Sequence, residues 1–255
     1  MIFAMKPRAL LCLLLSLSLL SSPVATQADA LLLPDLGDAS QAALSPQAEQ
    51  KLGRQIMGMI RESGEMLDDA EVELYINQLG RRLASASPEL GPSFEFFPML
   101  DPQINAFALP GGFIGVHTGL IYTAQGESEL ASVLAHEMAH VTQHHIARSI
   151  AQQGNNQLLA IAGILVAILA ASVSKNTQVS AAAMNAGTGM AIQNQLTFSR
   201  DFEREADNIG MQILSRAGFD ARAMPTFFER MQRVNRANDN QALAFLRTHP
   251  VTGER

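Results

Sequence analysis

From Ser45 onward the apolar residues recur every three or four positions, the period of a helix with one buried face. Leu52, Ile56 and Met59 form such a stripe. Ahead of it, Ser45-Pro46 followed by Glu49 supplies a capping hydroxyl, a proline at the first helical position and an acid facing the helix dipole. A second stripe, Val72, Tyr75, Ile76, Leu79 and Leu83, predicts a helix over about 70–86, ended by Pro88, Gly91 and Pro92. The period then shortens. Segments 94–97, 104–109 and 113–118 are short apolar or alternating runs separated by Pro98, Pro102 and Pro110-Gly111-Gly112, which predicts a small sheet of three or four strands. After Gly119 the helical period returns, over about 127–152, 158–173, 179–196, 199–216 and 223–237. The expected fold class is α+β, mainly helical, with one small mixed sheet beside the helix that starts near Glu127.

The first thirty residues follow a different logic. Lys6 and Arg8 precede an uncharged run from Ala9 to Leu20, and the small-residue stretch Ala28-Asp29-Ala30 follows, which is the layout of a secretory signal peptide. The apolar stretch is shorter than the roughly 20 residues a membrane span needs, although an uncleaved anchor is the competing reading. Cleavage near Ala30 is expected to leave residues 31–255 as one exported domain. Cys12, the only cysteine, falls inside the leader. The exported chain therefore has neither a thiol nucleophile nor a cysteine zinc site, and any metal must be held by His, Asp or Glu.

Composition narrows the remaining choices. With 47% hydrophobic and 16% charged residues, the chain has ample material for a core, which excludes general disorder. A formal charge of -6, with no basic cluster denser than Arg230, Arg233 and Arg236, argues against nucleic-acid binding.

The chemistry is concentrated in His136-Glu137-Met138-Ala139-His140. Two histidines four apart on a helix stack on one face and reach one ion, while Glu137, about 100° round the axis, can touch a water on that ion. The bland reading is two histidines and an acid on an ordinary amphipathic helix. Against it, the neighbours Leu130, Val133, Leu134, Ala135, Met138, Ala139 and Val141 are apolar, so these polar groups would be buried with nothing to bind.

A catalytic zinc takes three protein ligands and keeps one position open. The metzincin spacing would place a glycine at 143 and a histidine at 146, where this chain has Gln143 and Ile146. His144 is one further turn along, and three histidines on a straight helix are too spread to ring one ion. We therefore place His144 and His145 at the surface or behind the ligands. Between Met138 and Arg200 there is no acid at all, and the next carboxylates are Asp201, Glu203, Glu205 and Asp207. Glu203 and Asp207 share one helix face and Asp201 and Glu205 another. A solvated face with Arg200 and Arg204 as countercharges is the alternative.

The pair His136-Glu137-Met138-Ala139-His140 and Glu203-Arg204-Glu205-Ala206-Asp207 resembles the H-E-x-x-H and E-x-x-A-D motifs of the HtpX and CAAX prenyl protease type I family of gluzincin metallopeptidases. Asn105-Ala106-Phe107, Pro110-Gly111-Gly112 and Gly119-Leu120 match the strand region of that family, and the resemblance covers most of 40–255. Thr248-His249-Pro250 is similar to the soluble periplasmic branch, in which a tetratricopeptide domain follows, whereas this sequence ends at Arg255.

The resemblance implies a zincin-like fold and one Zn2+ per chain on His136, His140 and Glu203, with Glu137 as general base. It also implies polypeptide substrates in envelope quality control, with outer-membrane assembly machinery or a membrane surface as partner. Asp207 is expected to accept the free N–H of a ligand histidine. His249 either donates to the oxyanion or occupies the open metal position. The strand Gly112, Phe113, Ile114, Gly115 and Val116, just ahead of the active helix, is expected to pair with an extended substrate, unless a loop covers its edge. From Arg148 to Arg200 the only charge between is Lys175, which fits burial around the site or, second, contact with a membrane or partner. Two further classes stay open: a chaperone-like assembly factor whose zinc is capped and rarely cuts, and a structural metal protein with a fourth permanent ligand.

Overall fold

The computed structural model describes residues 44–88, 91–153, 198–237, 245–246 and 249, and the expected helices over 158–173 and 179–196 and the uncharged stretch around them lie outside these. Helix α1 (Pro46–Ser63) begins as its sequence dictates, with the Ser45 hydroxyl accepting from the Ala48 N–H, and ends where Gly64 takes a left-handed φ of 74°. Asp69 caps α2 (Ala70–Ser85) by accepting from the N–H groups of Glu71 and Val72.

Three strands follow: β1 (Glu95–Met99), β2 (Ala106–Leu109) and β3 (Phe113–His117). Their order is β1-β3-β2, with β1 parallel and β2 antiparallel to β3, so the sheet is mixed as expected. The runs read as nearly continuous apolar sequence because both faces are covered. Phe96, Ala106, Ile114 and Val116 join one core, and Phe97, Met99, Phe107, Leu109 and Phe113 join another.

This order overturns the expectation for 112–116. β3 is the central strand, paired with β1 from Phe113 to His117 and with β2 from Phe113 to Val116, while the Gly112 carbonyl accepts from the Glu95 N–H. No backbone edge is left there for a substrate strand. β3 immediately precedes the helical half in the chain, but β1 and β2 are the outer strands of the sheet.

A short helix α3 (Thr118–Thr123) leads to α4 (Glu127–Thr142), which is buried from Glu129 to Thr142. A helix apolar all round must be enclosed, and α4 packs against α2, β2, α6 (Arg200–Arg216) and α7 (Ala223–Ala237). Gly210 permits the closest of these approaches. A Cβ there would stand 3.1 Å from the His136 backbone nitrogen and 3.2 Å from the Ala135 carbonyl carbon.

The single helix expected over 127–152 is two. Gln143 and His144 break it, and α5 (His145–Gln153) starts in a new direction. His144 adopts φ 52°, the only non-glycine residue with positive φ among those described. No glycine or proline marks the break, so periodicity could not reveal it. Among the described residues no helix is long and apolar enough to cross a membrane.

Candidate functional site

His136, Glu137 and His140 occupy the enclosed centre of α4, and all three are fully buried. Glu203 reaches them from the first turn of α6, which Ser199 caps through the Phe202 N–H. His249 comes from a segment whose Phe245 N–H donates to the Ile104 carbonyl at 3.3 Å and whose His249 N–H donates to the Phe245 carbonyl at 2.8 Å. Phe245 stacks on the His249 ring with centroids 4.7 Å apart, and Phe198 stacks on His140 at 4.0 Å. Apolar rings thus fix the planes of two imidazoles.

The donor atoms converge. Nε2 of His136 and Nε2 of His140 are 3.0 Å apart, Nδ1 of His249 is 3.2 Å from Nε2 of His136, and Oε1 of Glu203 is 3.0 Å from Nδ1 of His249 and 3.4 Å from Nε2 of His140. One ligand atom from each of the four lies within 4.8 Å of all the others. Corners of a tetrahedron around zinc with bonds of about 2.0–2.1 Å are about 3.3 Å apart, so this spacing suits that ion. Two imidazoles, a carboxylate and a third imidazole are also the donor types zinc prefers when thiols are absent.

Both oxygens of Glu137 are buried without a regular hydrogen bond, and Oε1 is 3.4 Å from Nε2 of His249. Burial, reinforced by the charge of Glu203, pushes the Glu137 carboxyl above the usual carboxylate range, with His249, His136 and the Ala108 amide opposing. An acid placed so, facing the centre of a ligand cluster, is suited to take a proton. Burial would also raise Glu203, but the neighbouring His249 and His136 outweigh it and hold Glu203 well below that range.

Burial alone would lower His136, yet the carboxylates of Asp207 and Glu203 beside it bring it to about 9. The Asp207 contact is Nδ1 to Oδ1 at 3.0 Å. Burial and the charge of His136 push His140 well below its ordinary value.

The structure thus brings together His136, Glu137, His140, Glu203, Asp207 and His249, and it leaves 112–116 in the middle of the sheet. Of the other two acids on α6, Asp201 pairs with Arg204 at the surface, 2.5 Å away, which is the solvated face weighed as the alternative. Sequence reasoning missed the company of Glu205. That residue, Arg148 and a fully buried His145 form a chain ending on His140. The adjacent pair His144-His145 before an apolar Ile146 was the available signal.

With this geometry in view, comparison with known proteins becomes specific. The chain is 39% identical over 97% of its length to a putative β-barrel assembly-enhancing protease of Vibrio cholerae, of which it covers 50%. It is 38% identical over 88% of its length to the β-barrel assembly-enhancing protease of Escherichia coli K12, covering 45% of that protein. The mitochondrial metalloendopeptidase OMA1 of Schizosaccharomyces pombe is 36% identical over 71% of the chain and half of its own length. The chain therefore spans about half the length of the curated relatives it matches. The model of peptidase family M48 matches residues 70–255, which include every residue of the cluster. The chain belongs to peptidase family M48.

Proposed function

We propose that the protein is a zinc-dependent endopeptidase in which His136, His140 and Glu203 hold one Zn2+ per chain and Glu137 is the general base. The observation that carries this reading is the convergence of four donor atoms from three separate stretches of chain on one buried point, with the buried carboxylate of Glu137 beside it. Bound zinc supplies Lewis acidity toward the scissile carbonyl and acidifies a water. Glu137 accepts that water's proton and passes it to the leaving amine, a task its raised affinity for protons suits. Asp207 fixes His136 by accepting its Nδ1–H, which leaves Nε2 for the metal.

Substrate binding moves to β2 in this reading. It is the sheet margin against α4, and the Ala108 amide faces the Glu137 carboxylate. An extended chain paired along 106–109 would place its peptide bond over the base with little demand on sequence. Ala106, Phe107 and Leu109 are almost wholly buried, so access requires the covering segments to part.

His249 favours a second element, latency. Its Nδ1 stands at the fourth corner of the ligand set, where a substrate carbonyl would bind. We assign it the capping role over that of oxyanion donor. A protein held in this form binds polypeptides and rarely cuts, which is the chaperone-like alternative. The leader at 1–30, the domain at 31–255, a periplasmic location and outer-membrane assembly clients complete the proposal, supported by the leader pattern and the names of the bacterial relatives.

Zinc content and chelator-sensitive degradation of an unfolded protein test the reading together. The wild type is expected to hold one zinc and degrade the substrate, Glu203→Ala to lose the metal, and Glu137→Gln to keep it in silence. Undiminished zinc in Glu203→Ala would remove the proposed site.

A further inference from the structure

His140 has a second nitrogen, and the fold has arranged a partner for it. Nδ1 of His145 lies 2.8 Å from Nδ1 of His140, Nε2 of His145 lies 3.2 Å from Oε2 of Glu205, and Nη1 of Arg148 lies 2.9 Å from the same oxygen. His145 is fully buried, with its ring stacked on Phe202 at 4.5 Å and 10°, and the Arg148 guanidinium also lies over Phe202 at 4.5 Å. Bringing the ring there requires the break after α4, where His144 takes a left-handed φ of 52°.

A contact between two ring nitrogens works only if one donates and the other accepts. If Nε2 of His140 presents its lone pair to a metal, Nδ1 must carry the hydrogen. His145 then accepts at Nδ1 and must carry its own hydrogen at Nε2, which points at the Glu205 carboxylate. Arg148 donates to the same carboxylate. Every tautomer in the row is fixed by the charge at its outer end, and the direction of the row delivers electron density to the ligand nitrogen of His140.

We propose that His145 is the positioning residue for His140, setting its tautomer and ring orientation, and that Glu205 and Arg148 enforce this from the protein surface. The inference rests on His140 being a metal ligand. It gives the two ligand histidines of α4 matched supports from one helix: Asp207 acts directly on His136, and Glu205 acts on His140 through an intervening imidazole.

Two substitutions separate this role from simple filling of space. His145→Phe keeps the volume and the stack on Phe202 but puts a carbon against His140. His145→Asn leaves a void but places Oδ1 where Nδ1 was, restoring the acceptor. Zinc affinity measured by chelator competition is expected to fall about 10–100-fold in His145→Phe and to stay within about threefold of wild type in His145→Asn. Glu205→Gln is expected to weaken zinc binding in the wild-type background and to have no effect in His145→Asn, where the row is cut. The d–d absorption of the Co2+-substituted protein should shift in His145→Phe and be unchanged in His145→Asn.

Thermal unfolding of the metal-free variants reports folding separately. Wild-type affinity in a folded His145→Phe, or a larger loss in His145→Asn than in His145→Phe, overturns the proposal. Should His145→Phe not fold, Glu205→Gln decides: equal effects in the wild-type and His145→Asn backgrounds overturn it. Glu203→Ala stands beside them as a control, because full zinc binding there would instead remove the ligand assignment on which the inference rests.

Discussion

Nδ1 of His249 lies 3.0 Å from Oε1 of Glu203 while Nε2 of the same ring lies 3.4 Å from Oε1 of Glu137, so one imidazole closes both the ligand set and the base. In the proposed capping role that side chain would compete with substrate for the fourth corner. His249→Ala is therefore expected to keep one zinc per chain and to raise the degradation of an unfolded protein about tenfold, the factor that roughly 1.4 kcal/mol of preference for the closed form produces. The measurement is a progress curve at matched zinc content. A lower kcat at unchanged KM would instead assign His249 to the oxyanion.

Glu137 presents the opposite balance of stability and function. Its carboxylate is fully buried with both oxygens lacking regular hydrogen bonds, an arrangement that costs folding free energy and that the proposed role as base would explain. Glu137→Gln is expected to lower turnover by about 10²–10⁴ while leaving zinc content intact. In the metal-free protein the same change should raise stability by about 1 kcal/mol, because a neutral amide replaces a group that burial disfavours when charged. Calorimetry of the two metal-free proteins, beside metal analysis of the loaded ones, checks both halves.

Much of this arrangement was legible in the sequence because its causes are local. Ser45-Pro46 and Ser199 cap helices where their chemistry requires, α7 spans the expected 223–237, and the unbroken apolar neighbours of His136 foretold its burial. The acid-free interval before Asp201 pointed to α6 for a carboxylate near the two histidines, and Glu203 of α6 lies beside them. What could not be read depends on contacts between distant segments. Strand order is one, since nothing within Phe113–His117 says that Glu95–Met99 will take its outer flank. The turn at His144 is another. It obeys no residue preference, and the contact it makes possible, His145 against His140, appears only when α6 brings Glu205 and Phe202 to the same place.

Gly210 tests how tightly that meeting of helices is specified. A Cβ at 210 would press on the backbone at His136 and on Met224 at 3.1 Å, and α4 with α6 carries His136, His140 and Glu203, the three ligands proposed above. Gly210→Val should push the helices apart, destabilise the protein by about 1–3 kcal/mol and weaken zinc binding with it. Gly58 is the contrast, a helical glycine in α1 whose Cβ would meet nothing within 4 Å. Gly58→Ala should stabilise by about 0.5–1 kcal/mol and leave zinc affinity unchanged. Denaturant melts paired with zinc titration distinguish the two.

His117 provides a pH dependence away from the cluster. It is buried at the end of β3 with its ring edge-on to Phe107, and burial lowers its pKa below the ordinary 6.5, with the Asp101 carboxylate 3.6 Å away and the Gln103 backbone opposing only in part. Below pH 6.5 the unfolded chain binds a proton at this residue that the folded chain resists. Folded protein then holds fewer protons than unfolded, and stability falls as pH falls. His136 acts in the opposite sense but in another window. Its value of about 9 makes its contribution complete below pH 6.5 and lost between 6.5 and 9. Between pH 6.5 and 5 the lowered values of His140 and His145 add to the decline of metal-free protein, so the share of His117 is read as a difference between two proteins. His117→Gln removes the titrating group, so its melting temperature should decline less steeply over that interval than that of the wild type. Parallel curves would mean that His117 gains its proton at no cost to the fold, through a rearrangement that brings Asp101 into direct contact.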